Sequence, residues 1–194
     1  MKKSLAEMTL EELWILFPII LKEHNDAYFQ WYEEEKETIL SVIDDREVTR
    51  INHIGSSAVK GLLSKPTIDI LIEIKETANV ERCINRLENH GWSVMSRQEK
   101  PYFQVSLCKG YTVTGFAKKV FHLHLRYPDD WGELYFRDYL IHNKEDANAY
   151  ASLKEELMGK FKNNRDAYTH EKGDFVMACT EKARTLFAGR YQVK

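Results

Sequence analysis

Residues His53 to Ile74 read HIGSSAVKGLLSKPTIDILIEI, and this stretch decides the fold. It joins a small-residue turn to a strand that carries an acid. Gly55, Ser56 and Ser57 bring backbone N–H groups and two hydroxyls to an expected helix start, where an anion is held without a large side chain. Pro66 stops any helix begun there. Thr67 to Ile74 is nearly continuous apolar sequence, as expected for a strand covered on both faces, and its alternation puts Asp69, Leu71 and Glu73 on one side. A carboxylate such as Asp69 is costly to bury alone, so a metal, a cation or a substrate proton is expected beside it.

Upstream, Thr9 and Glu12 have capping-box spacing, which predicts a short helix that Pro18 ends. Asn25 to about Val42 has helical periodicity, with Ala27, Tyr28, Trp31 and Tyr32 inward and the acidic run Glu33 to Glu37 mostly solvated. Val48 to Ile54 reads as the first strand. Downstream, Val80 to Asn89 is an amphipathic crossover helix with Gly91 as its stop. Four short strands are predicted next, over Trp92–Ser96, Tyr102–Cys108, Tyr111–Phe116 and Val120–Tyr127, extending the sheet in antiparallel fashion. Helical periodicity over Trp131–Ile141, Asp146–Phe161 and Asp174–Phe187 then makes the last third a helical cover.

The chain has 194 residues, 30% charged and 43% hydrophobic, which suits one globular domain with a real core. Its sheet core is expected over about 16–127 and its helical cover over about 131–190. With 28 basic and 30 acidic residues the net charge is −2, so no basic field is present to hold a long nucleic acid. An RNA-modifying accessory role ranks last for that reason. Cys83, Cys108 and Cys179 are odd in number and far apart, which argues against a disulfide framework and for a reducing cytoplasm. The opening MKKSLAEMTLEEL has acids where a signal peptide needs an apolar run, and Leu13 to Leu21 is too short to span a bilayer, so no membrane partner is expected.

Gly55-Ser56, then twelve residues, then Asp69 on a strand resembles the nucleotidyltransferase superfamily. The whole stretch from His53 to Ile74 looks more closely like the signature of the GrpB-like family, a branch of it. His122-Leu123-His124, Phe136-Arg137-Asp138-Tyr139-Leu140, and Tyr150 with Lys154 resemble further blocks of that family, so the resemblance runs from about Leu16 to Ala183. It implies an α/β (α+β) fold, a nucleotidyltransferase-like mixed sheet flanked by helices. It also implies that the Gly55-Ser56 turn holds a nucleotide's phosphates while strand acids, Asp69 first, hold divalent metal.

One place departs from the active superfamily pattern of acid, apolar residue, acid: the second acid is Leu71, which cannot ligate magnesium, a leucine that GrpB-like proteins often share. Glu73 points the same way but lies about 7 Å further along the strand. The sequence offers imidazole instead. His122 and His124 project together from one strand, and with Asp69 and His53 they form a candidate transition-metal set. Two other roles stay open for the histidine pair, bonding to a ligand phosphate or base, and simple satisfaction by backbone and Asp69.

The cations placed near an anionic ligand are Lys65, Arg137, Lys154 and Arg165. Arg137 and its neighbour Asp138 should face different directions, and Arg137 either pins the helical cover to the sheet or contacts ligand. Lys154 resembles the basic residue that nucleotidyltransferases carry on a helix over the triphosphate. No Walker-type GKS or GKT, GxGxxG or GxSxG pattern is present. The expectation is a protein that binds a nucleotide or phosphorylated small molecule, either with metal-dependent transfer centred on Asp69 or as a noncatalytic domain that lost the acid pair.

Overall fold

A computed structural model describes residues 3–193. Its sheet has the strand order β1-β2-β5-β4-β3, where β1 is Val48–Ile54, β2 Ile68–Ile74, β3 Ser93–Gln98, β4 Gln104–Thr112 and β5 Gly115–Arg126. β1 runs antiparallel to β2, β2 parallel to β5, and β5, β4 and β3 antiparallel in turn. This is a mixed α+β architecture. The antiparallel run of β3, β4 and β5 is as expected, and the parallel step between β2 and β5 makes the sheet mixed, as the family resemblance implies. That step arises because the chain crosses from β2 to the far edge, lays down β3, and returns by hairpins until β5 meets β2.

The two faces of β2 do different work. Ile68, Ile70, Ile72 and Ile74 enter one buried cluster with Tyr28, Tyr32 and Ile39 of α2 (Ala27–Val42) and Cys83, Ile84 and Leu87 of α3 (Val80–Glu88). That face is dry. The opposite face, carrying Asp69, Leu71 and Glu73, lies under α4 (Gly132–His142), on which α5 (Lys144–Phe161) and α7 (Gly173–Leu186) pack in turn. Leu71 is buried there against Ile54 and Leu134 of α4. The short α6 spans Arg165–His170 between α5 and α7 and was not expected.

α1 is Leu10–Leu16, with Thr9 Oγ1 accepting from Glu12 N at 3.3 Å and Glu12 Oε2 accepting from Thr9 N at 2.8 Å. The capping box is formed as its spacing predicts. Pro18 follows the end of the helix.

Two local expectations fail for identifiable reasons. Tyr111–Phe116 is not a strand but the hairpin between β4 and β5, with Thr112 paired to Gly115 and Thr112 Oγ1 donating to Gly115 O at 2.7 Å. Lys109-Gly110, which lies between two of the strands expected from the sequence, is a bulge inside a continuous β4. Gly110 has φ +92°, and a Cβ there would fall 2.3 Å from Lys119 O, so the bulge requires glycine. The second failure is the helix after the Gly55 turn. It is a single 3-10 turn, Ser56–Ala58, too short to present a helix N-terminus to an anion. Among the described residues no helix is long and apolar enough to cross a membrane.

Candidate functional site

Strand register builds the site. β2 and β5 pair Asp69 with His122, Leu71 with His124 and Glu73 with Arg126, while β1 sets Arg50 opposite Glu73. Cross-strand partners share a face, so a polar stripe runs across the sheet under the helical cover. Above it opens a cavity of about 910 Å³ lined by Gly55, Ser56, Ser57, Lys65, Asp69, His122, His124, Lys154, Arg165 and Lys172, among others. Its volume is within the range usual for small-molecule sites.

Gly55 is dictated by close approach. It has φ +72°, and a Cβ would sit 2.6 Å from Asp69 Oδ2, so no larger residue fits between turn and strand. Asp69 Oδ1 lies 3.1 Å from His122 Nδ1, and His122 Nε2 lies 2.8 Å from the Tyr111 hydroxyl. With its proton on Nδ1 the ring donates to the carboxylate and accepts from the tyrosine. Arg165 Nη2 in turn donates to Tyr111 Oη at 2.9 Å. Burial pushes the Asp69 carboxyl up, but the hydrogen bond from His122 and the neighbouring His122, His124 and Lys65 outweigh it and hold the group at about 2.

The metal set expected from the sequence does not assemble. Both His122 nitrogens are engaged within the protein. His53 lies outside the cavity wall, its Nε2 3.0 Å from Ser57 Oγ and its ring stacked on Tyr32 at 4.8 Å, and burial lowers its pKa to about 4. Burial likewise lowers the pKa of His124 against the raising charge of Asp69. Leu71 is enclosed by apolar side chains. Glu73 is committed to Arg50, which donates to it through two guanidinium nitrogens, and to Asp129 N at 3.1 Å. Among the described residues no three His, Cys, Asp or Glu side chains are arranged to hold a metal ion. This chain's residues do not fit the superfamily's metal pair.

Arg137 does not line the cavity. Its guanidinium donates to His53 O at 2.9 Å, Tyr191 Oη at 2.8 Å and Asp138 Oδ1 at 2.9 Å, so it ties the cover to β1. The adjacent Arg137 and Asp138 therefore meet, contrary to the divergence expected of neighbours on a helix, because the long arginine curls back to the carboxylate.

The cations that do reach the cavity are crowded and poorly neutralised. Lys154 of α5 is only 2% exposed. Its Nζ donates to Ser56 Oγ at 3.2 Å and to the Leu63 carbonyl. Burial first, then the charges of Lys172 and Lys65, bring its pKa down to about 7. Lys65 is lowered to about 7 as well, by burial and by Lys172 and Arg165, against the pull of Asp69. Lys172 is lowered by burial. The ammonium groups rest on aromatic rings, Lys154 over Tyr150 at 4.6 Å and Lys172 over Tyr168 at 4.5 Å. The ion pairs among the described residues include none of Lys65, Lys154, Arg165 and Lys172. Lys109, also in the wall, is paired with Glu35 at 2.7 Å. Lys172 is the cation that sequence reasoning missed. It has no motif, and its place in the cavity depends on how α6 turns into α7.

Fold and site together define an α+β protein whose polar sheet face and basic cavity lie under a helical cover. The chain belongs to the GrpB family: the family's sequence model, described as "GrpB protein", matches residues 18–182. Among curated relatives, the Glutamate-rich protein GrpB of Alkalihalophilus pseudofirmus is 34% identical over 162 residues, covering 81% of this chain and 91% of that protein. The UPF0157 protein YqkA of Bacillus subtilis is 27% identical over 173 residues, covering 86% of this chain but only 48% of its own length. A crystal structure described as conserved protein GrpB from Enterococcus faecalis superposes with a TM-score of 0.76 at 26% identity, covering 87% of this chain and 99% of that one.

Proposed function

We propose that this protein binds a nucleotide or another phosphorylated small molecule in the cavity between the Gly55-Ser56-Ser57 turn and the helical cover, without a divalent metal. The observation that carries the reading is the charge imbalance of the wall. Lys65, Lys154, Arg165 and Lys172 converge there while Asp69 is already bonded to His122. Crowded, half-dehydrated cations are costly until an anion joins them. The resemblance of the Gly55-Ser56 turn and the Asp69 strand to nucleotidyltransferases supports a phosphate as that anion. Metal-dependent transfer is the weaker alternative, because Leu71 stands in the second acid's place and Asp69 orients an imidazole. The three cysteines carry no disulfide, which supports a cytoplasmic setting.

Thermal unfolding with inorganic phosphate, AMP, ADP or ATP in EDTA tests the proposal. A ligand at a hundred times its Kd is expected to stabilise the protein by about 2.7 kcal/mol, with no change on adding magnesium. Lys154→Met is expected to weaken binding about tenfold or more, the worth of a charge-assisted hydrogen bond, while its urea midpoint shows that the variant remains folded. Stabilisation only when divalent metal is present, or none with any phosphate compound, overturns the reading.

A further inference from the structure

The same cavity has a second wall of opposite character. The turn Leu5–Glu7 and α1 present Leu5, Leu10, Leu13 and Trp14 to it, and β3 adds Val94 and Met95. α1 buries none of its residues, and Leu10, Val94 and Met95 remain 50%, 40% and 48% exposed. A seven-residue helix is marginal by itself and normally owes its place to an apolar face pressed into a core. Here that face borders the basic cavity instead. Of the side chains that α1 and β3 contribute, only the Trp14 indole N–H and Ser93 can hydrogen-bond, so this wall has little with which to read the edge of a nucleobase.

We infer that the ligand is an amphiphilic phosphomonoester, its phosphate among Lys65, Lys154, Arg165 and Lys172 and a flexible aliphatic chain along α1 and the Val94–Met95 edge. The inference rests on the anion-binding reading above and names the ligand class for that site. Charge complementarity fixes the phosphate end at the lysines, and continuity of the cavity carries the chain out under α1. Burying the chain removes apolar surface from water on both partners, which gives α1 the packing it lacks.

Calorimetric titration of the full chain with inorganic phosphate and with butyl, hexyl and octyl phosphate tests it. Affinity is expected to rise about two- to fourfold per added methylene. The double variant Leu10→Ser, Met95→Ser, at two exposed positions, is expected to flatten that series and leave inorganic phosphate binding unchanged. If inorganic phosphate binds but the series is flat, the chain-binding inference fails and the anion site stands. If no phosphate compound binds, both fail. AMP binding more tightly than octyl phosphate overturns the inference in favour of a nucleobase. Retention on phosphatidic acid vesicles without binding of soluble octyl phosphate overturns it in favour of a membrane surface.

Discussion

Lys65 and Lys154 share a cavity with Lys172 and Arg165, and burial together with like charge brings both lysines down to about 7. Their ordinary value is 10.5, so between about pH 7 and 10.5 the unfolded chain holds more protons than the folded one. Keeping these groups charged therefore costs the folded state below that window, and stability rises as pH climbs through it. A phosphate among them reverses the shift by favouring the charged forms. Binding at pH 8 is expected to take up protons, seen as an enthalpy that varies with the ionisation heat of the buffer, and affinity is expected to fall as pH climbs above 7. Binding that neither takes up protons nor weakens at high pH would remove these lysines from the site. Asp69 and Lys154 were readable from sequence because a charge on an apolar strand or in a family block stands out. Lys172 was not, since an isolated lysine in a helical tail is ordinarily solvated. The histidines misled for a related reason. Alternation correctly gave His122 and His124 one face, but only the register shows that Asp69 and Tyr111 already occupy both nitrogens of His122.

At the level of elements, β2 was legible because a run of isoleucines interrupted by two acids on one face has few other uses. The turn before it was legible only in part. Gly55 serves less as a helix start than as a spacer, letting the turn press onto Asp69. Gly55→Ala is expected to cost about 1–3 kcal/mol, combining positive-φ strain with displacement of the carboxylate. The urea midpoint should fall, and the His122 ring signals should shift as its partner moves. A neutral Gly55→Ala would mean that the turn relaxes away from the strand. The bulge at Gly110 shows why β4 and β5 were divided incorrectly. A glycine inside a strand and a glycine at a turn look alike until the opposing backbone, here Lys119 O, is known.

For the molecule as a whole, the sheet and its cover meet through the apolar contact of Ile54 and Leu71 with Leu134 and are pinned by a few arginines. Arg137 reaches from α4 to the His53 carbonyl, and Arg50 donates to the Tyr191 and Asp129 carbonyls at 3.1 and 2.6 Å. Arg137→Met is expected to cost about 1–3 kcal/mol, since it leaves a buried carbonyl without its donor. Amide exchange should quicken in α4 while β5 stays protected. Equal acceleration in both layers would show that they unfold as one. The layer order could be read from hydrophobic periodicity, but the pins could not, because each joins residues far apart in the chain. The cations of the cavity are divided between these layers too, Lys65 on the sheet side and Lys154, Arg165 and Lys172 on the cover. A bound anion would therefore clasp one layer to the other, and an empty cavity would leave them easier to part. In a cell, opened chains are the ones proteases remove. The abundance of this protein would then track the supply of its ligand, making its own lifetime a gauge of the compound it holds.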